Sequence, residues 1–321
     1  MTQLPEFPRY IDSSMRSTFI SCPQRFYWEY IRKLGTATTS PDLHAGAVFA
    51  SATEVTRQAF YEGGHPIDEA VIIGFEHFTR EWGDYDPPDR HTGGTHNKSF
   101  VNTAAAFLEY WKEYDPRFDR LQPYRNSDNT IATEYSFAVP TLINHPTTEE
   151  PLLYCGRFDM LGYFEGAPDN LYIVDEKTTG SIGSQWAQKW GMRGQFLGYA
   201  YGAQAHGFRV QGAIVRGIAI KKTDTSFAQA VLSISQWQVD RWWEQLNYDL
   251  SRMVHSYNAP SRRDGTPSFD FAYGESCEQY GGCSYMPLCT AREPENWLSD
   301  YVRRTWNPLQ RNPTAEAPAD D

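Results

Sequence analysis

The sequence predicts one mixed α/β domain over residues 1–305, and three observations lead to that fold class. Residues 1–125 carry mainly helical patterns. Residues 126–235 contain alternating or apolar strand patterns interleaved with a helix, which is typical of a small mixed sheet flanked by helices. Residues 236–305 begin with an amphipathic helix and end in a cysteine-rich segment. The tail, 306–321, is acidic and rich in proline, so we expect it to be disordered.

The first predicted helix covers residues 13–35. Ser13 or Ser14 can cap it, Pro23 predicts a break after Cys22, and a glycine ends it. The next three helices are predicted at 45–64, 66–83 and 100–114, with a loop at 86–99 between the last two.

The predicted strands share short apolar or alternating runs bounded by turn residues. They lie at 131–142, 152–164, 171–177 and 209–222. Two longer helices are predicted around the last of them, at 185–206 and at 233–258.

Composition limits the classes of function. The chain has 321 residues and a net charge of −11, so no overall basic field attracts nucleic acid, and such a partner would need a local groove and metal ions. No signal-peptide pattern or membrane-spanning apolar stretch is visible, which predicts a cytoplasmic protein without membrane partners, in a prokaryotic cell or a phage-infected host. Five cysteines in a reducing compartment argue against a disulfide framework.

The run "YIVDEKTTG" places three charges at the end of a buried strand. Because side chains alternate along a strand, Asp175 and Lys177 share one face and Glu176 points to the other. The preceding strand carries Asp159. A symmetric loop at 165–170 would set Glu176 opposite Asp159, whereas a shift of one residue would set Asp175 there, and the sequence leaves both registers open.

These residues have the chemistry of a metal site. The carboxylates of Asp159 and Asp175, with the backbone carbonyl of Glu176, can hold one or two Mg²⁺ ions that keep several waters. Lys177 can then orient a water or offset negative charge in the transition state. The alternative is a solvated strand end with an ordinary Asp–Lys pair.

Three motifs in this order resemble the PD-(D/E)XK nuclease superfamily, in its RecB-like and Cas4-like exonuclease branch. They are "GRFDMLGYF", "YIVDEKTTG" and "QFLGYAYG". The resemblance implies a restriction-endonuclease-like core and an Mg²⁺- or Mn²⁺-dependent DNA exonuclease of recombination, repair, phage DNA metabolism or CRISPR adaptation. It also implies DNA with single-stranded ends as partner, beside proteins of recombination or CRISPR adaptation. The catalytic residues carried over are Asp159, Asp175, Lys177, Gln195 and Tyr199.

One family feature is missing. Many relatives carry G-x-x-x-H in an early helix, but Ala50 follows Gly46 at that spacing here. Glu54, one turn later, is a candidate replacement ligand, and an ordinary exposed glutamate is the alternative interpretation. The missing histidine also supports a second function, a catalytically impaired nucleic-acid-binding subunit of the same fold.

The segment "SCEQYGGCSYMPLC" holds Cys277, Cys283 and Cys289, a spacing that suggests soft-metal ligands. In Cas4-like nucleases, three such cysteines and one near the N-terminus bind a [4Fe–4S] cluster, and the resemblance assigns Cys22 as the fourth. Structural Zn²⁺ is the alternative cofactor, and unrelated buried cysteines are a third interpretation. Cys155, in the middle of a strand, is expected to be a core residue.

Overall fold

The computed structural model describes residues 5–37, 39–87, 96–259, 269–278, 282–304, 306–309 and 315–316. Within these ranges no helix is both long and apolar enough to cross a membrane. Residues 310–314 and 317–321, which form most of the tail predicted to be disordered, lie outside the described residues.

Helices and strands are interleaved along the chain. The strands are β1 (Tyr10–Ile11), β2 (Leu34–Thr36), β3 (Leu121–Pro123), β4 (Thr133–Asn144), β5 (Pro151–Phe164), β6 (Leu171–Thr179), β7 (Val210–Ile220), β8 (Thr225–Ser233), β9 (Tyr301–Arg304) and β10 (Ala315–Glu316). The helices are α1 (Ser13–Ser21), α2 (Pro23–Phe26), α3 (Pro41–Tyr61), α4 (Ile67–Trp82), α5 (Phe100–Glu113), α6 (Gly194–Ala205), α7 (Gln236–Asn258), α8 (Glu275–Glu278) and α9 (Met286–Thr290). A π-helical turn covers Tyr27–Ile31, and 3₁₀ turns cover Gln188–Trp190 and Pro294–Asp300.

The chain divides into two compact units. The first unit contains Met1–Thr38, Phe137–Gly156 and Asp240–Asp321, and the second unit contains Thr39–Ser136 and Arg157–Val239. Strands β4 and β5 each pass from one unit into the other.

A mixed sheet forms the centre of the second unit. The part of β5 that belongs to this unit pairs in antiparallel fashion with both β3 and β6. Strand β6 pairs in parallel with β7, and β7 pairs in antiparallel fashion with β8. Helices α3 and α5 pack on one face of this sheet, and α6 packs against β6 and β7. The predicted mixed α/β fold, a sheet flanked by helices, is confirmed.

An aromatic core fixes the helices of the second unit. Phe49, Phe78 and Phe107, from α3, α4 and α5, are all buried and pack with Ile218 and Ile220 of β7. Burial of such side chains is the main stabilising contribution in a fold of this kind. Helices α3 and α4 approach closely at Gly74, where a Cβ atom would lie 1.9 Å from the Thr56 hydroxyl oxygen.

The first unit contains the chain's first helices and a small second sheet. Strand β9 pairs with β2 and β10 in antiparallel fashion. Asp12, rather than Ser13 or Ser14, caps α1, because its carboxylate accepts the Met15 N–H at 2.8 Å. The predicted break at Pro23 is present: α1 ends at Ser21, and Pro23 begins α2, where its missing N–H costs no hydrogen bond.

Further features of the second unit differ from the prediction. The helix predicted over 185–206 is a 3₁₀ turn followed by α6, which begins only at Gly194. The two are separated at Arg193, whose backbone is extended, with a ψ of 116°. Strand β8 was not predicted, and it forms because all of its residues pair with residues 212–220 of β7.

Candidate active site

Asp175 and Lys177 of β6 lie on one face of the sheet. The Lys177 Nζ is 2.6 Å from Asp175 Oδ2. The Asp175 side chain is 2% exposed, and that of Lys177 is 31% exposed. The ion pair is therefore buried at the carboxylate and reaches solvent at the ammonium.

The register of β5 and β6 decides what faces Asp159. The strands pair as Met160↔Val174 and Leu161↔Ile173. Continuing this register by one residue places Asp175 opposite Asp159, so the shifted alternative applies. The reason lies in the connecting turn, where Phe164 O accepts the Ala167 N–H at 2.9 Å and is taken out of the pairing with β6.

Asp159 is also held directly by the neighbouring strand. Its Oδ2 accepts the backbone N–H of Glu176 at 2.7 Å. This hydrogen bond ties the first acidic residue to the middle of the Asp-Glu-Lys run. The three predicted residues Asp159, Asp175 and Lys177 thus form one group in the second unit.

The electrostatics of this group favour a cation. Burial, and next the charge of Asp175, raises the pKa of Asp159 well above its ordinary value. Burial also raises the pKa of Asp175, although the ammonium of Lys177 opposes the change. For Lys177, the carboxylates of Asp175 and Asp159 outweigh burial and raise the pKa. Burial disfavours the ionised form of both carboxylates, and an added positive charge beside them would stabilise that form.

Mg²⁺ or Mn²⁺ fits the donors that are present. Asp175 Oδ2 is buried and lies 2.6 Å from the Lys177 ammonium. Two carboxylate oxygens and a backbone carbonyl suit an ion that retains several waters. In the described part of the chain, no three His, Cys, Asp or Glu side chains converge on one point. Glu54 therefore forms no such group with Asp159 and Asp175, and it accepts a hydrogen bond from Gln58 at 3.3 Å.

Helix α6 presents Gln195 and Tyr199 one turn apart. The Gln195 Nε2 donates to the Tyr199 hydroxyl at 2.8 Å. The ring of Tyr199 lies 5.9 Å from that of Phe158, the residue before Asp159. The structure therefore brings this predicted helix pair next to the strand that carries Asp159.

The segment before α6 covers the sheet beside Lys177. Gly217 is the register partner of Lys177, and a Cβ atom at Gly217 would lie 2.3 Å from the Trp186 ring. Trp190 packs between Trp186 and the Phe196 of α6, with ring centroids at 5.5 and 6.0 Å. Glycine at this position allows the indole of Trp186 to approach the strand closely.

The other face of β6 carries a buried ion pair that sequence reasoning missed. Arg57 of α3 forms a bidentate pair with the Glu176 carboxylate, and the Tyr110 hydroxyl donates to the same carboxylate at 2.9 Å. Burial opposes ionisation of Glu176, but the charge of Arg57 outweighs it and lowers the pKa to about 2. Phe49, Thr53 and Arg57 lie four residues apart on the buried stripe of α3. An arginine on such a stripe is the sequence signal that predicts a buried acidic partner.

A second buried cation lies at the end of β6. The Lys98 ammonium is 2.7 Å from Asp42 Oδ1 and 3.2 Å from the Thr178 hydroxyl. Thr178 lies on the same face as Glu176, so alternate residues of β6 are held from this side. No sequence pattern pointed to Lys98, because it lies in the loop predicted at 86–99.

The four predicted cluster cysteines lie in the first unit. Burial raises the pKa of Cys289 to about 11, and the thiols of Cys283, Cys22 and Cys277 act on it in the same direction. The Cys283 N–H donates to the Cys277 carbonyl at 2.8 Å. The four thiols therefore lie near one another. Among the described residues, however, no three of them converge as the ligands of a formed metal site would. Cys155 is buried in the core, as expected.

Comparison with known proteins gives one informative match. The model of the PD-(D/E)XK nuclease superfamily matches residues 14–290. A search of curated proteins found no match. The crystal structure of a candidate exonuclease from Eubacterium rectale shares 12% identity over 77% of this chain and 80% of that one, with a TM-score of 0.44. The structure of SSO0001 shares 10% identity over 67% of this chain and 84% of that one, with a TM-score of 0.26.

Proposed function

This chain belongs to the PD-(D/E)XK nuclease superfamily, and we propose that it is a metal-dependent DNA exonuclease of the RecB-like and Cas4-like kind. The superfamily implies a hydrolase that acts on nucleic acid. The observation that carries the finer proposal is the group of Asp159, Asp175 and Lys177, in which two buried carboxylates lie beside one partly exposed ammonium.

Asp159 and Asp175, with the backbone carbonyl of Glu176, would hold Mg²⁺ or Mn²⁺. When bound, such an ion would lower the pKa of a water and would stabilise charge on a phosphoryl oxygen. Lys177, whose Nζ lies 2.6 Å from Asp175 Oδ2, would orient the attacking water or offset negative charge in the transition state.

We assign the α6 side of the site to the DNA strand. Gln195 and Tyr199 support the substrate in this proposal, and their mutual hydrogen bond limits the rotamers of both. Lys189 and Arg193 precede them and lie over the ring of Trp190 at 4.5 and 5.3 Å. Cations at this point suit the phosphates of a single-stranded end.

The cysteines would brace the first unit through a [4Fe–4S] cluster, with structural Zn²⁺ as the alternative. The proposal is supported by the charge interaction of Cys289 with Cys22, Cys277 and Cys283. A shared ion or cluster would offset the high pKa of Cys289, since metal-bound thiols are deprotonated.

Digestion of end-labelled single- and double-stranded DNA tests the activity. The assay should be run with Mg²⁺, with Mn²⁺ and with a chelator, beside Asp175→Asn and Lys177→Ala as inactive controls. We expect progressive shortening from an end only with metal. Equal hydrolysis by either variant would overturn the site, and products released from the interior of circular DNA would overturn the exonuclease assignment.

A catalytically impaired DNA-binding subunit is the second candidate. The observation that favours it is Ala50 in α3, where many relatives have a histidine. DNA binding without hydrolysis in any metal would establish this alternative.

A further inference from the structure

The far face of β6 carries a buried network with no place in the proposed chemistry. We infer that Arg57 and Tyr110 are positioning residues of the active site, because they hold Glu176 and thereby fix the strand between Asp175 and Lys177. The inference rests on the proposed metal-dependent function.

The contacts of Glu176 specify one orientation of its carboxylate. Arg57 Nη1 lies 3.2 Å from Oε2, and Arg57 Nη2 binds Oε1. The Tyr110 hydroxyl donates to Oε1 at 2.9 Å. The side chains of Arg57 and Glu176 are 5% and 3% exposed. A bidentate pair adds geometric definition that a single contact does not.

Tyr110 is the hub of the network. Its hydroxyl accepts from Arg57 Nη2 at 3.1 Å and from Arg216 Nη1 at 3.5 Å while it donates to Glu176. Arg216 is the register partner of Glu176 on β7, and its Nη2 lies 2.6 Å from Asp119 Oδ2. The hydroxyl therefore joins two helices and two strands at the level of residue 176.

Stability alone does not account for this arrangement. Apolar side chains of similar size often stabilise a core as well as a buried ion pair, because burial of charge is costly. What the ion pair adds is a fixed orientation of Glu176 within β6. The backbone N–H of Glu176 donates to Asp159 Oδ2 at 2.7 Å, and Asp175 is the residue before it in the chain. A tilt of Glu176 would therefore displace both Asp159 and Asp175. Outer residues that orient metal ligands commonly matter for metal affinity.

Tyr110→Phe is the sharpest test, because it removes the hub hydroxyl and keeps the ring. The matched control is Tyr114→Phe, four residues later in the chain and directly after the end of α5. Its ring lies 5.0 Å from that of Tyr110 and faces the Arg216 guanidinium at 4.0 Å, so that its contact is made by the ring and not by the hydroxyl. Arg57→Lys is a second variant that keeps the charge and loses the bidentate geometry.

Two quantities should be measured for each folded variant, well below its melting temperature. They are the Mn²⁺ dissociation constant of the metal-free protein, by calorimetry or electron paramagnetic resonance, and kcat and KM on single-stranded DNA at saturating Mn²⁺. We expect Tyr110→Phe and Arg57→Lys to weaken Mn²⁺ binding by about 10-fold and to lower kcat with little change in KM. Tyr114→Phe should match the wild type.

The outcomes separate this inference from the proposed function. Tyr110→Phe and Arg57→Lys proteins with wild-type Mn²⁺ affinity and kcat, whatever their melting temperatures, would show that the network is only structural. If Asp175→Asn binds Mn²⁺ as tightly as the wild type, the metal site itself is wrong, and with it the proposed function.

Discussion

Substituting Glu176 with Gln should destabilise the protein by about 3 kcal/mol at neutral pH. The ordinary pKa of this carboxyl is 4.5, and the folded protein lowers it to about 2. At 1.36 kcal/mol per pH unit, that depression corresponds to about 3 kcal/mol. A loss of unfolding free energy of similar size is expected because the variant leaves Arg57 buried without its partner, which costs roughly 3–5 kcal/mol in comparable cases. Urea unfolding at neutral pH measures the difference.

The pH dependence of that difference provides an independent check. The folded-state pKa of Glu176 lies below its ordinary value of 4.5. The stabilisation from ionised Glu176 is therefore fully present above that ordinary value and is lost as the pH falls towards about 2. The gap in unfolding free energy between wild type and Glu176→Gln should accordingly narrow below about pH 4.5.

Glu109→Gln is the matched control, since it also removes a glutamate charge from an ion pair. Glu109 pairs with Lys112 at 2.6 Å, but the two side chains are 51% and 71% exposed. Exposed pairs contribute at most about 1 kcal/mol, so this variant should stay close to wild type. Equal small losses in both variants, or a Glu176→Gln loss that does not change in acid, would refute the reasoning.

Other parts of the molecule support three further predictions. Asp175→Asn should lower the rate of hydrolysis by about 100-fold or more. The same change should raise the melting temperature of the metal-free protein, because it removes a charge that burial disfavours. A lowered melting temperature would contradict this account. Gly217→Ala should destabilise the protein by about 1–3 kcal/mol in urea unfolding, because its Cβ would lie 2.3 Å from the Trp186 ring; wild-type stability would mean that the ring is free to shift. Cys22→Ala should lose the iron that is measured in protein purified without oxygen, and it should melt at a lower temperature. The control Cys155→Ala should keep its iron. Wild-type protein that contains zinc and no iron would overturn the proposed iron–sulfur cluster.

The sequence determined the features that depend on local pattern. Period-two alternation predicted that Asp175 and Lys177 share a face with Glu176 opposite, and the structure has this arrangement. The order of three motifs indicated the superfamily, which the family match confirms over residues 14–290. Pro23 predicted the break in the first helix correctly, because the effect of proline is local.

Only the tertiary structure decided which partners those residues meet. The register that places Asp175 opposite Asp159 depends on the turn after Phe164, where a difference of one residue exchanges the two faces. Arg57 and Glu176 are 119 residues apart in the chain, and no local period relates them. Their pairing arises because α3 packs on the sheet face to which alternation directs Glu176, and there a buried carboxylate requires a cation.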